Sequence, residues 1–153
     1  MTATEENDNS VVADLNALLA CELSAVQAYQ LAIDAVNDRY LIDVLKACLT
    51  NHQNRVQRLR QAIDKLGGLP TAESGMIGML ASFVEQAAGT LGNQAALTTL
   101  KMGEQFGLQY YLSRIDFKSD RLQSETFDLF HTLLEDQRKT QEQLQDFHYA
   151  SSI

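Results

Sequence analysis

The sequence predicts an all-α domain, an up-down four-helix bundle built from two antiparallel hairpins that a long crossover joins. Three observations favour this fold. Apolar residues recur at spacings of three and four along four long segments. A single Pro and eight Gly in 153 residues leave few of the turns that an all-β fold needs. Short links join the segments within each hairpin, whereas about 25 residues separate the second segment from the third.

The first hairpin follows a polar start. Residues 1–9 show no apolar periodicity and are predicted to form a loose tail, with Ser10 as the N-cap of a helix over 11–37. A short turn leads into the second helix, predicted over 40–66. The Gly-Gly-Leu-Pro sequence at 67–70 ends that helix, because Gly is favoured just past a helix end and Pro cannot continue it.

The crossover and the second hairpin complete the predicted domain. A short Met- and Phe-rich helix is predicted over 75–88 within the crossover. The third helix is predicted over 93–115, with its first Asn as the N-cap, and the fourth over 124–148. The chain therefore divides into a polar tail at 1–10 and one four-helix domain at 11–149.

Charge and composition argue against some classes of function. The net charge is −8 and the isoelectric point is about 4.7, so the chain lacks the Lys and Arg excess that nucleic acids and anionic membranes require. We recognise no signal peptide at the start and no apolar run of about 20 residues that could span a membrane. We expect a cytoplasmic protein in which Cys21 and Cys48 are reduced, buried and inert.

Polar residues interrupt the apolar stripe of each long helix near its middle. Extending the stripes through these gaps puts four polar residues on the inward faces: Glu22, His52, Glu104 and Gln137. Burying an isolated carboxylate costs several kcal/mol unless it is paired, protonated or bound to metal. Two carboxylates and one imidazole at one level of the bundle would suit a divalent metal. Alternatively, Glu22 pairs with Arg55 or Lys101, His52 is a core histidine with its hydrogen bonds satisfied, and Gln137 joins a buried hydrogen-bond network.

The first helix carries the most specific resemblance to a known family. Its run LNALLACELSAVQAY, residues 15–29, resembles that of bacterioferritins, in which a metal-ligand Glu precedes a Tyr by seven residues. The Gly-Leu-Pro sequence that closes the second helix is similar too. From about residue 11 to residue 148 the chain resembles the ferritin-like superfamily, and its small bacterial families of unknown function in particular. The resemblance implies a dimetal site with Glu on the first and third helices and Glu-x-x-His on the second and fourth.

Three helices keep only part of the ligand pattern that this resemblance implies. Glu22 and Glu104 match the Glu ligands of the first and third helices, and His52 matches the His of the second. Leu49 stands where the resemblance implies the Glu that bridges both metals. Without a bridging carboxylate, we expect no dimetal centre that activates oxygen.

The fourth helix departs further from the pattern. Gln137 takes the place of the Glu, and Thr140 takes the place of the His. A Gln is compatible with the resemblance, because ferritin-type ferroxidase sites use one on this helix. A rival register would make Glu135-x-x-Arg138 the motif. We prefer Gln137, since Glu135 falls off the apolar stripe and is better placed to pair with Arg138 in solvent.

Two functions of different classes stay open. In the first, the protein has a degraded site that binds at most one iron, manganese or zinc ion and has an undetermined redox role; its metal residues would be Glu22, His52, Glu104 and Gln137. In the second, the bundle is metal-free and serves assembly or partner binding. Whether the protein is an enzyme is undecided by the sequence. We expect a small homo-oligomer, a dimer, with no nucleic-acid or membrane partner. A cation from Arg55 or Lys101 at the centre would favour the second function.

Overall fold

The computed structural model describes residues 2–74, 92–115 and 122–147, apart from the side chain of Thr4. These residues form four long helices: α1 (Ala3–Ala35), α2 (Arg39–Lys65), α3 (Asn93–Ile115) and α4 (Ser124–Gln145). Helix α1 packs against α2 and α3, and α4 packs against α3 and α2. The predicted all-α bundle of two hairpins is confirmed.

Helix α1 begins well before the predicted start. Thr2 is the N-cap, because its hydroxyl accepts a hydrogen bond from the Glu5 amide and the Glu5 carboxylate accepts one from the Thr2 amide. This reciprocal pair is a capping box, which satisfies two backbone donors at a helix start. The predicted N-cap at Ser10 and the loose tail before it are therefore wrong, since residues 3–10 are helical.

Helix α2 has a defined cap at each end. Asp38 caps its start by accepting a hydrogen bond from the Leu41 amide at 2.8 Å. At the other end, Gly67 has a φ of +75°, and the Gly68 amide donates to the Ile63 carbonyl at 2.9 Å. This Schellman arrangement uses glycine for its left-handed residue. The predicted helix end at the Gly-Gly-Leu-Pro sequence is confirmed.

Gly68 lies against α1 with no room for a side chain. A Cβ atom at this position would sit 2.7 Å from Val12 Cγ1 and 3.0 Å from Ile63 Cγ2. We expect Gly68→Ala to lower the free energy of unfolding by about 1 to 3 kcal/mol, as overpacking of a filled core does. Urea denaturation measures it. Adding Val12→Ala removes the closest atoms and should recover part of the loss; equal stability of Gly68→Ala and the wild type would contradict the packing argument.

The described start of the crossover runs along the outside of α1. Asn16 donates to the Leu69 carbonyl at 3.1 Å and accepts from the Thr71 amide at 2.8 Å, and the Ser24 hydroxyl donates to the Ser74 carbonyl at 2.9 Å. These bonds carry the chain along α1 towards the end of the bundle where α3 begins. The helix predicted over 75–88 lies outside the described residues.

Helix α3 has the predicted bounds, but the prediction of Asn93 as its N-cap is wrong, because Asn93 is the first helical residue and the Ala96 amide donates to the Gly92 carbonyl. The Asn93 side chain bonds across the bundle instead. Its amide group donates to Asn37 Oδ1 at 2.7 Å, and its Oδ1 accepts from the Asn37 backbone amide at 3.1 Å. The turn between α1 and α2 is thereby tied to the start of α3. This tie places the two hairpins in register at one end of the bundle.

The core divides into two apolar clusters with a polar layer between them. The cluster nearer the α1–α2 turn contains Tyr29, Leu45 and Leu144 among its buried residues. The cluster at the other end contains Leu18, Leu59, Phe130 and others. Each helix passes from one cluster to the other through its middle turns, where polar side chains are buried.

Helix α1 is apolar on most of its circumference. The stretch Glu5–Ala35 is long and apolar enough, by length and composition alone, to cross a membrane. Half of its most apolar part is buried inside the bundle, as is common for a helix that is apolar on most of its faces and lies in a protein core. The expectation that no apolar segment is long enough to span a membrane is therefore wrong for α1. The absence of a membrane partner stays a prediction.

Candidate functional site

The four inward polar residues predicted from the sequence do meet at one level of the bundle. Glu22, His52, Glu104 and Gln137 are each at most 3% exposed. His52 lies at the centre, with Nδ1 2.6 Å from Glu22 Oε2 and Nε2 2.6 Å from Glu104 Oε1. The imidazole therefore joins the carboxylate of α1 to the carboxylate of α3.

Arg55, one turn after His52 on α2, also reaches into this centre. Its side chain is 1% exposed; Nε donates to Glu22 Oε1 at 2.8 Å and Nη2 donates to Gln137 Oε1 at 2.9 Å. Nη2 also lies 2.9 Å from His52 Nδ1 and can donate to that nitrogen only when it carries no proton. The pairing of Glu22 with Arg55, one of two alternatives that the sequence left open, is present.

The fourth helix supplies neutral partners. Gln137 Nε2 donates to Glu104 Oε2 at 2.8 Å, and the Thr140 hydroxyl accepts from Arg55 Nη1 at 3.0 Å. Gly107 makes room for the amide, because a Cβ there would lie 3.1 Å from Gln137 Nε2. Glu135 is exposed, whereas Gln137 is buried. The rival register, in which Glu135-x-x-Arg138 is the inward motif of the fourth helix, is therefore wrong.

Two buried tyrosines complete the network. The Tyr29 hydroxyl donates to Glu104 Oε1 at 2.6 Å, and the Tyr111 hydroxyl donates to Glu22 Oε1 at 2.7 Å. Burial, followed by the adjacent carboxylates, raises the pKa of both phenols well above the usual value. Both tyrosines therefore stay protonated at neutral pH and act as donors to the carboxylates.

Lys101, the alternative partner proposed for Glu22, points away from the centre. Its Nζ donates to the carbonyl of Phe147 at 3.0 Å, just past the C-terminal end of α4, where a cation interacts favourably with the helix dipole. Among the described residues, Arg55 is therefore the basic side chain that lies at the centre of the network. The four inward positions were predicted, whereas the closure of the network by Arg55 was left as an alternative.

The charges of the network hold one another in their ionised forms. Burial alone would raise the pKa of Glu22, but Arg55 and His52 outweigh it and lower that pKa to about 2. Burial would likewise lower the pKa of His52, but Glu104 and Glu22 raise it to about 9. The pKa of Glu104 is lowered, chiefly by His52 against burial. At neutral pH two carboxylates therefore balance one imidazolium and one guanidinium.

This arrangement does not fit the metal centre that the superfamily resemblance implies. Both ring nitrogens of His52 and every carboxylate oxygen of Glu22 and Glu104 already take part in hydrogen bonds within the network. Leu49, at the bridging position, packs against the apolar cluster nearer the α1–α2 turn. Within the described ranges, no group of three or more His, Cys, Asp or Glu side chains could hold a metal ion. Metal binding by the four residues stays a prediction.

A small cavity borders the network on its α1–α3 side. Its volume is about 30 Å³, room for about two water molecules, and its lining includes Cys21, Ala25, Gly103 and Phe106. Burial, with the nearby carboxylates, raises the pKa of the Cys21 thiol well above its usual value. A thiol that stays protonated is a poor nucleophile, so the cavity offers space without an activated cysteine.

The fold and the site together define a four-helix bundle of ferritin-like fold with a buried ion-pair network at the middle of its helices. Residues 10–116 match the model of a family described as Domain of unknown function (DUF2383). The match covers more than half of the chain, and the protein therefore belongs to this family. No curated protein has a sequence that matches the chain.

Two solved structures are similar to the whole bundle. A ferritin-like, diiron-carboxylate protein from Bacillus anthracis str. Ames superposes with a TM-score of 0.75 and 21% identity, covering 95% of this chain and 97% of its own. YcfI, a proposed structural protein from Rhodopseudomonas palustris, superposes with a TM-score of 0.78 and 19% identity, covering 91% and 92%. At this identity the likeness establishes the fold, and the predicted ferritin-like class is confirmed.

Proposed function

We propose that the protein is a metal-independent ferritin-like bundle that serves assembly or partner binding. The observation that carries the proposal is the position of Arg55, whose guanidinium is bonded to Glu22, Gln137 and Thr140 at the level of the superfamily's metal site. A fixed cation there repels a divalent ion and supplies, with His52, the positive charge that buried carboxylates require.

A closed network suits a structural role. Its members span all four helices, and the hydrogen bonds among them leave the carboxylates, the imidazole and the guanidinium with partners. Satisfied polar groups in an otherwise apolar core fix the register of the helices in several systems. Among the fold neighbours, the name of YcfI as a proposed structural protein agrees with this role.

The competing function is binding of one iron-type cation. Glu22, His52 and Glu104 do converge, and the Bacillus anthracis neighbour is named a diiron-carboxylate protein. Binding by this chain would require His52 to lose a proton and Arg55 to move aside, because a metal ligand must present a free lone pair. Those two requirements make the metal-independent function the better supported one.

Elemental analysis of protein purified without chelator tests the proposal. We expect no stoichiometric iron, manganese or zinc in the wild type, even after anaerobic loading with ferrous iron. The positive control is the variant Leu49→Glu, Arg55→Ala, Gln137→Glu and Thr140→His, which restores the superfamily's donor set and removes the guanidinium. We expect this variant to take up ferrous iron.

Two outcomes distinguish the metal-independent function from the binding of one cation. Stoichiometric metal in the wild type that disappears in Glu22→Ala with His52→Ala would refute the metal-independent function and favour the competing one. An iron-free wild type beside an iron-loaded control variant, with both showing helical circular dichroism, would support the proposal. The control variant makes a negative result for the wild type informative, because it shows that the loading conditions can fill such a site.

A further inference from the structure

A groove lies between α2 and α4, on the side of the bundle opposite α1 and α3. Helix α2 packs against α1 and α4, and α3 packs against the same two helices, so that the α2–α4 and α1–α3 pairs form opposite sides. The described ends of the crossover, Ser74 and Gly92, lie at α1 and at the start of α3. The groove is therefore on the far side of the bundle from these two ends, and its volume is about 470 Å³.

The lining of this α2–α4 groove is polar throughout. It consists of four amides, three basic side chains and one carboxylate, with no apolar residue among them. The amides all belong to α2: Asn51, Asn54, Gln57 and Gln61. Amide side chains both donate and accept hydrogen bonds, so this lining suits a polar molecule and offers nothing to an alkyl chain.

One positive charge in the groove has no compensating carboxylate. Arg58 pairs with Asp136 across the groove. Arg55 pairs with Glu22 behind it. Lys139 is exposed, and no carboxylate of the described residues lies within ion-pair distance of its ammonium group. Since one cation is left over, the groove suits a ligand that carries one negative charge.

Arg55 also has a hydrogen-bond donor to spare. Each Nη of a guanidinium carries two hydrogens. One Nη1 hydrogen is donated to the Thr140 hydroxyl at 3.0 Å, and the other has no acceptor among the parts of the chain that the structure describes. The side chain is 1% exposed and lines the groove, so an acceptor for this hydrogen has to come from the groove. A buried charged donor favours an anionic oxygen.

We propose that the α2–α4 groove binds a small polar carboxylic acid in its ionised form. The carboxylate accepts from Arg55 Nη1 and Lys139 Nζ, and the amides of α2 bond the rest of the molecule. Lys139 precedes Thr140, the residue that Arg55 Nη1 contacts, so both cations lie at one level of the groove. This binding site goes beyond the metal-independent function and does not require it.

NMR titration of the isotopically labelled full chain with glycolate tests the site. Glycolate is a small monocarboxylate with one further polar group. At low ionic strength we expect saturable shifts of the Asn51 and Asn54 side-chain amide signals, with a dissociation constant on the order of millimolar. Lys139→Gln should raise this constant roughly fivefold, the upper end for an exposed ion pair. Arg138→Gln is the matched control, because Arg138 is exposed beside Lys139 but does not line the groove.

Glycolamide and sulfate are the comparison probes. Glycolamide has nearly the shape of glycolate without its charge, and sulfate carries a second charge that Asp136 opposes, so we expect both to bind more weakly. The proposal fails if glycolate gives no saturable shift at about 50 mM, well above the expected constant. It also fails if either comparison probe binds as tightly as glycolate, or if Lys139→Gln binds glycolate as well as Arg138→Gln does.

Two further measurements keep these outcomes clear. Circular dichroism of each variant shows whether the fold is retained. Elemental analysis of the wild type decides the metal-independent function by a different readout, so that failure of glycolate binding and failure of that function are distinguishable.

Discussion

Replacing Arg55 by methionine is expected to lower the free energy of unfolding by about 3 to 5 kcal/mol, the cost of removing one partner from a buried ion pair. The substitution keeps the length of the side chain but leaves Glu22, 1% exposed, with His52 as its remaining cationic partner. Gln137 and Thr140 lose their donor at the same time. Urea denaturation at neutral pH, followed by circular dichroism, measures the change.

Arg58→Met is the matched control for this prediction. Arg58 lies one turn further along α2 and pairs with Asp136 at the surface, where the two side chains are 43% and 33% exposed. Exposed pairs contribute about 1 kcal/mol or less. Adding Glu22→Gln to Arg55→Met should cost less than the sum of the single changes, because the unpaired carboxylate is gone. Equal losses for Arg55→Met and Arg58→Met would contradict the network as a source of stability.

The inward position of Arg55 was predictable from the periodicity of α2. The sequence spacing between inward residues of α2 alternates between three and four only if residue 55 is counted together with the buried residues Leu45, Cys48, His52 and Leu59. An arginine at an inward position is an unusual choice that requires buried acceptors. The sequence allowed the pairing with Glu22, but the choice between Arg55 and Lys101 depends on side-chain reach across the bundle, which helix periodicity does not specify.

The bundle itself was predictable because the apolar periodicity and the unequal connection lengths agree. The start of α1 was missed for an identifiable reason. Its first two turns are polar and exposed for the most part, so they have no apolar stripe, and only the Thr2-x-x-Glu5 capping box marks them as helical.

Raising the pH is expected to remove about 3 kcal/mol of stability through His52. Its pKa rises from 6.5 to about 9 on folding, and each tenfold change in proton affinity corresponds to about 1.4 kcal/mol. A raised pKa stabilises the fold fully below pH 6.5, and this contribution is lost as the pH rises through 9. Glu22 behaves in the opposite sense: its pKa falls from 4.5 to about 2, so its contribution is present above pH 4.5 and lost as the pH falls through 2.

The pKa changes of His52 and Glu22 together predict a maximum of the network's contribution between pH 4.5 and pH 6.5. Urea denaturation across this range and up to pH 10 measures the loss, and His52→Gln should flatten the alkaline limb because its neutral amide does not titrate. His131→Gln is the control, since His131 is an exposed histidine on α4; its curve should follow the wild type. Parallel curves for the wild type and His52→Gln would mean that His52 is neutral in the folded protein. Its Nδ1 would then be free to accept from Arg55, and Glu22 would have Arg55 as its only cationic partner.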